Sequence, residues 1–329
     1  MNIRNTLAGM LFAAAAVFAA GCGTGSEPAN KETVTLTHVH GLAFTPDGTK
    51  LIVPAHDGLK QYEGGAWAAA AGPGHDYMGF SMADDGFYSS GHPEPGSELL
   101  NPLGIVKSRD EGERLEILGL HGETDFHLMT AGYASHVLYV FNPGPNSRMQ
   151  TAGLHYTTDE AKTWSRSHAE GLRGEPLSIA AHPSDPAAVA VGTDKGLFVS
   201  RDSGHTFKPA LEGTAVTALH YAFDGRLYAG GVEADVPYVR FWDAGGTSWS
   251  ALNIPVLRQD AVAYIARSPT QPERIAFATF GKSVYLSADG GATWESIAEQ
   301  GEASSAYRDR AHGDHDHGDH DHGGHDHGE

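Results

Sequence analysis

A short turn motif recurs six times along the middle of this chain. The clearest copy is Ser287-Ala-Asp-Gly-Gly-Ala-Thr-Trp294, with near copies at 200–207 and 157–164 and looser ones at 241–249, 108–112 and 60–67. In such a sequence the Asp accepts hydrogen bonds from its own turn, Gly supplies a positive φ, and the aromatic residue begins the next strand. The motif therefore predicts a repeated hairpin turn.

The spacing of the copies predicts the architecture. Their third residues are 62, 110, 159, 202, 243 and 289, at intervals of 41 to 49 residues. Each interval has room for four short strands, and the 42 glycines and short apolar runs favour an all-β chain. We therefore expect a β-propeller with six blades of four antiparallel strands, with seven blades as the alternative.

The repeat resembles the Asp-box, or BNR repeat, of sialidases, sortilin-type receptors and photosystem assembly factors. With the segments "HVHGLAF", "AHDGL", "DYMGF", "SGHP" and "DFHLM", it is similar to bacterial extracytoplasmic propellers labelled glycosylhydrolase-like or exo-sialidase-like. That resemblance implies the fold and a location outside the cytoplasm. It implies less about the chemistry, because fold does not determine function.

An apolar run opens each repeat and is expected to be the innermost strand of its blade. These runs are 38–44, 77–82, 126–131, 177–181, 216–221 and 262–266. The blades are then expected over 36–69, 76–118, 124–168, 176–210, 215–252 and 260–298. An early strand over 33–36 is expected to close the ring against the last blade.

The amino terminus indicates export and anchoring. Residues 1–21 have the pattern of a signal peptide, and Ala19-Ala20-Gly21-Cys22 resembles the lipobox of bacterial lipoproteins. We expect a lipidated Cys22, a linker over 22–32, the propeller over 33–300 and a tail over 301–329. The lipid then tethers the domain to a bacterial membrane, at the cell surface or in the periplasm.

Charge and cysteine content narrow the classes of ligand. The formal net charge of −19 argues against nucleic acid, which needs clustered Lys and Arg, and is compatible with attracting cations. Cys22 is the only cysteine. Any metal chemistry must therefore use His, Asp, Glu or Met.

Potential metal ligands are concentrated in the first three blades. Eight of the thirteen histidines before the tail lie between residues 38 and 136. Residues two apart on a strand face the same side, so three inner strands each present a pair of ligands, and two further histidines precede turns. The predicted ligands are His38, His40, His56, Asp76, Met78, His92, Asp125 and His127. Imidazole, carboxylate and thioether together suit copper or zinc, whereas the alternative is ordinary packing in a polar channel.

The tail alternates imidazoles with carboxylates and has no apolar residue after Ala311. Its histidines are His312, His315, His317, His320, His322, His325 and His327. We expect this segment to be disordered and to act as a weak store with several metal sites, emptied as the histidines protonate. The alternative is an acidic solubilising arm.

Three functions follow from these features. The first is metal homeostasis or delivery by a tethered propeller. The second is a glycoside hydrolase of the sialidase type, which by family resemblance needs an arginine cluster, a Tyr nucleophile and acidic partners. Arginines are sparse near the inner strands, with Arg267 the clearest exception, and spacing reveals no Tyr–Glu pair. The third is a scaffold that binds a membrane or periplasmic protein.

Overall fold

The computed structural model describes residues 34–243 and 248–303, and this part of the chain consists of 25 β-strands, turns and loops. The strands form six sheets, each with antiparallel neighbours. The first three sheets are β1 (Ala43–Phe44), β2 (Leu51–Ala55), β3 (Gly58–Glu63), β4 (Ala66–Ala69); β5 (Asp76–Ala83), β6 (Gly86–His92), β7 (Ile105–Ser108), β8 (Glu116–Gly119); and β9 (Met129–Ala131), β10 (Leu138–Asn142), β11 (Gly153–Thr157), β12 (Ser165–Arg166). The last three are β13 (Pro176–Ala181), β14 (Val189–Thr193), β15 (Gly196–Ser200), β16 (Lys208–Glu212); β17 (Ala215–Tyr221), β18 (Leu227–Glu233), β19 (Val236–Trp242), β20 (Trp249–Ala251); and β21 (Val262–Arg267), β22 (Ile275–Thr279), β23 (Val284–Ser287), β24 (Glu295–Glu299), β25 (Glu302–Ala303).

The six sheets form a closed ring, which confirms the predicted six-bladed β-propeller. The first strand of each sheet contacts the first strand of the next, and β21 contacts β1. Each of the first five blades has four antiparallel strands, so the chain returns to the same face of the ring before it starts the next blade. We call this face, where the first strands begin, the entry face.

The ring is closed between blades six and one. The indole Nε1 of Trp67 donates to the carbonyl of Ile297 at 2.7 Å. At the outer edge, Thr35 pairs with Glu302 of β25, and the N–H of Leu36 donates to Gly301 O at 2.6 Å. The segment predicted as an early strand over 33–36 thus contacts the last blade, but it forms only a single bridge at Thr35, and residue 33 lies outside the described residues.

Hydrophobic clusters fill the spaces between blades. Six clusters of buried residues occur, and each joins one pair of neighbouring sheets. Phe277 is a fully buried example between blades five and six. The apolar runs of the sequence thus stabilise the ring by packing blade against blade.

The repeated turn joins the third and fourth strands of its blade. In the copy before β24, Asp289 Oδ1 accepts from the N–H of Thr293 at 2.9 Å, and the Thr293 hydroxyl donates to Oδ2 at 2.6 Å. The turns at Asp159 and Asp202 have the same pair of bonds. These hydrogen bonds, first those from the Thr hydroxyls, lower the pKa of all three aspartates to about 2. The motif is therefore a structural element.

Two innermost strands are shorter than the sequence indicated. The first is Ala43–Phe44 instead of 38–44, and the third is Met129–Ala131 instead of 126–131. His40 donates its N–H to the carbonyl of Pro54 at 3.0 Å, but Pro54 has no N–H to return the bond. The ladder consequently stops, and His38 and His40 lie in an extended lead-in to β1. At the other end of the domain, β25 lies beyond the expected boundary at residue 300.

Candidate metal centre

Apart from Met78, the predicted ligands within the described residues all lie on the entry face. His38 and His40 precede β1, and Asp125 and His127 precede β9. His56 follows the last residue of β2, while Asp76 and His92 are the first residue of β5 and the last of β6. Neighbouring strands of a blade run in opposite directions. Each first strand therefore begins on the same face on which the second strand of its blade ends.

Three of the histidines form one group. One ring nitrogen from each of His38, His40 and His56 lies within 4.8 Å of the other two. The His38 ring is 4.2 Å from that of His56 and 5.6 Å from that of His40, centre to centre. Asp76 completes what we call the first imidazole group, with Oδ2 at 2.7 Å from His56 Nδ1 and Oδ1 at 3.4 Å from His40 Nε2.

The carboxylate of Asp76 orients His56. Since a carboxylate only accepts, His56 Nδ1 carries the proton and donates to Asp76 Oδ2 at 2.7 Å. The Nε2 lone pair of His56 is then available as a ligand, as in the carboxylate–histidine pairs of metal centres. The other oxygen, Oδ1, is buried and accepts no hydrogen bond. A buried acceptor without a donor is costly, and a bound cation would satisfy it.

Burial lowers the pKa of His40. The charge of Asp76 opposes this shift, while His56, His38 and His127 add to it. The imidazole of His40 is therefore neutral at neutral pH, which is the form that binds a metal ion.

His92, His127 and Asp125 form a second imidazole group beside the first. Asp125 Oδ2 lies 2.9 Å from His127 Nε2 and 3.6 Å from His92 Nε2. On the other side of its ring, His92 Nδ1 donates to Asn101 Oδ1 at 2.6 Å. The ligands that were predicted to share one metal site thus form two adjoining groups.

The remaining predicted residues are not part of either group. Met78 is 8% exposed and lies in β5, two residues after Asp76. Cys22 and the tail histidines, which are His312, His315, His317, His320, His322, His325 and His327, lie outside the described residues. Their predicted roles stay predictions.

The axis of the ring holds a cavity of about 210 Å³. His40 and His127 line it, so the two imidazole groups adjoin through the cavity wall. Arg267 also lines the cavity, but its guanidinium is paired with Asp224 and donates to Pro272 O. This arginine is therefore already occupied by partners within the chain.

A polar cluster between blades two and three was not visible in the sequence. Lys107 is 1% exposed, and its Nζ lies 2.8 Å from Glu160 Oε1 and from Tyr88 OH, which itself donates to Glu160 at 3.0 Å. A Tyr–Glu pair thus exists although spacing revealed none. Burial raises the pKa of Tyr88 to about 12, which is opposite to the shift of an activated nucleophile.

Asp84, Asp85 and His136 border this cluster. One ligand atom from each lies within 4.8 Å of the others. Asp85 is already paired with Lys107 at 2.9 Å and with Arg109 at 3.2 Å. The sequence lacked any signal for this grouping, because its members come from separate turns of two blades.

His220 gives the propeller a pH-dependent stability. Burial, followed by the charge of Arg267, lowers the pKa of His220 to about 4, and its Nε2 accepts the N–H of Arg267 at 3.2 Å. The unfolded chain takes up this proton near pH 6.5 and the folded chain only near pH 4, so stability falls as pH falls through that window. We expect the wild type to lose about 2 kcal/mol more than His220→Gln between pH 7 and pH 4.5. Urea denaturation at four pH values measures this difference, and parallel curves for the two chains would contradict it.

The described residues define a six-bladed β-propeller with a His- and Asp-rich entry face. None of them forms a helix with the length and apolar character needed to cross a membrane. No protein-family model matches the sequence, and no curated protein matches it either.

Several solved structures are similar to this chain. A GH74 enzyme of Niastella koreensis superposes with a TM-score of 0.52 at 14% identity, covering 80% of this chain and 46% of that chain. The extracellular domain of BT4673 from B. thetaiotaomicron gives 0.48 at 14% identity, covering 82% and 34%. YCF48 bound to D1 peptide gives 0.45 at 16% identity, covering 80% and 82%. This chain thus spans about half the length of the GH74 chain. At 14% identity, the similarity to the GH74 enzyme is one of fold.

Proposed function

We propose that this chain is a membrane-tethered, extracytoplasmic propeller that binds a transition metal ion, copper or zinc, and serves metal homeostasis or delivery. The observation that carries the proposal is the first imidazole group. Three ring nitrogens lie within 4.8 Å of one another beside a buried carboxylate oxygen that accepts no hydrogen bond.

The ligand chemistry of this group suits such an ion. Zinc binds imidazole nitrogen at about 2.0–2.1 Å, which places the nitrogens of a tetrahedral centre about 3.3 Å apart. The three nitrogens, which lie within 4.8 Å of one another, would have to move closer by side-chain rotation to reach that spacing. Three imidazoles and one carboxylate are borderline ligands, which favour zinc and copper over calcium and magnesium.

The sequence outside the described residues supports the cellular role. The lipobox-like segment ending at Cys22 supports a lipid anchor, and the seven tail histidines support a weak store of ions near the propeller. Delivery implies a receiving membrane or periplasmic protein. The net charge of −19 helps to concentrate cations at the surface.

Metal titration of the chain with all seven tail histidines replaced by Asn tests the site. We expect this tail variant to bind at least one equivalent of Zn²⁺ or Cu²⁺. Adding His38→Ala and His56→Ala should weaken the binding of one equivalent by more than about 100-fold, because even the outer-shell partners of a ligand contribute about 10- to 100-fold to affinity. Calorimetry and metal analysis after gel filtration measure both quantities.

A matched control uses another pair of neighbouring histidines. The rings of His168 and His205 are 4.9 Å apart, between blades three and four. Replacing both with Ala in the tail variant should leave metal binding unchanged. A folded tail variant that binds neither ion would overturn the proposed site.

A further inference from the structure

The second imidazole group has the composition of a metal centre of its own. His92 and His127 direct Nε2 toward the same oxygen of Asp125, at 3.6 and 2.9 Å. The side chain of His127 is 69% exposed and that of Asp125 27% exposed, so the group is open to solvent. Two imidazoles and one carboxylate supply three ligands and leave positions free, as in sites where the metal ion exchanges or binds another molecule.

The orientation of His92 directs a ring nitrogen at the carboxylate of Asp125. Its Nδ1–H donates to Asn101 Oδ1 at 2.6 Å, which fixes the ring. The other nitrogen, Nε2, lies 3.6 Å from Asp125 Oδ2. A metal ion can bridge a nitrogen and an oxygen at this separation.

Two connections place the imidazole groups next to each other. Asp76 of the first group and His92 of the second are paired across β5 and β6. Directly opposed residues in an antiparallel pair have Cβ atoms about 4.5–5.5 Å apart and point to the same side of the sheet. His40 and His127 provide a second connection, since both line the central cavity.

We infer that the entry face holds two adjoining metal positions, the first at His38, His40, His56 and Asp76 and the second at His92, Asp125 and His127. This inference rests on the proposed function, because it adds a second ion to the proposed site. Asp76, whose buried Oδ1 accepts no hydrogen bond, is paired with His92 across β5 and β6. The second position is the more exposed of the two, so an ion bound there exchanges first. A metal-handling protein would load and release its cargo through that position.

The number of metal ions bound per chain tests the inference. It is measured in the full chain with the seven tail histidines replaced by Asn. Zn²⁺ titration is expected to give two equivalents. Adding His92→Gln and His127→Gln should reduce the value to one, and Asn101→Ala should weaken the second equivalent alone, because Asn101 only orients His92. The same chain loaded with two equivalents of Cu²⁺ should show magnetic coupling in its EPR spectrum, which is lost in the His92→Gln, His127→Gln variant.

The outcomes separate this inference from the proposed function. One equivalent in the tail variant, unchanged by His92→Gln and His127→Gln, overturns the second position and leaves the first intact. Two equivalents without magnetic coupling show ions bound apart and also overturn the adjoining arrangement. No bound metal in the folded tail variant overturns both proposals. The His168→Ala, His205→Ala variant, which should retain two equivalents, controls for the general loss of surface histidines.

Discussion

Lys107→Met is expected to lower the free energy of unfolding by about 3 kcal/mol, because breaking a buried ion pair leaves uncompensated charge. The Nζ of Lys107 is almost fully buried and contacts Asp85 at 2.9 Å and Glu160 at 2.8 Å. Burial lowers the pKa of Lys107, but the hydrogen bonds to Glu160, Tyr88 and Asp85 outweigh it and raise the pKa overall. Met fills a similar volume, so the change removes charge and hydrogen bonds more than packing. The expected loss of about 3 kcal/mol is at the low end of the range for breaking a buried ion pair, because both carboxylates keep some contact with water.

Urea denaturation at neutral pH measures the effect, with Lys50→Met as the matched control. Lys50 pairs with Glu111 at 2.6 Å on the surface, where such pairs are worth about 0–1 kcal/mol. Adding Glu160→Gln to Lys107→Met should restore part of the loss, since one of the two carboxylates that lose Lys107 is then neutral. Equal, small effects of the two lysine substitutions would contradict the assignment of Lys107 to a buried network.

Phe277→Ala is expected to destabilise the propeller by about 3–5 kcal/mol, the range for truncating a buried Phe. Phe277 lies in β22 with no exposed surface, and its ring centre is 4.8 Å from that of Tyr285 and 4.9 Å from that of Trp294. These contacts belong to the cluster that joins blades five and six. The cavity left by Ala therefore weakens an interface of the ring and not one blade alone.

Phe280 provides the control three residues away. Its side chain is 63% exposed, so Phe280→Ala should change the free energy of unfolding by no more than about 0.5 kcal/mol. Thermal and urea denaturation of both variants measure the difference. Similar losses at the two positions would mean that Phe277 does not support the ring.

The fold was predictable because its information is local and repeated. Asp289, Gly291 and Trp294 specify a turn within eight residues. The number of copies of this motif, spaced by about the length of one blade, predicts the number of blades. The lengths of the strands were harder to predict. Pro54 lies in β2 and ends the pairing of β1 with that strand. The sequence does not show which strand will lie beside a given proline, so this effect could not be predicted.

The candidate site was predictable only in part. His38 and His40 are two residues apart, so their common direction follows from an extended backbone. The division into two groups does not follow, because Asp76 of blade two orients His56 of blade one. Likewise Tyr88 and Glu160 meet across 72 residues and two blades, without a shared motif. Such contacts depend on how neighbouring sheets are rotated, which spacing alone does not encode.

The pairing of Val34–Leu36 with Gly301–Ala303 places both ends of the domain at one edge, and Ala303 donates its N–H to Val34 O at 3.3 Å. Paired strands are about 4.8 Å apart, so the points where the backbone enters the described domain at residue 34 and leaves it at residue 303 are neighbours. The first of the candidate ligands, His38, lies four residues after the entry point along the chain.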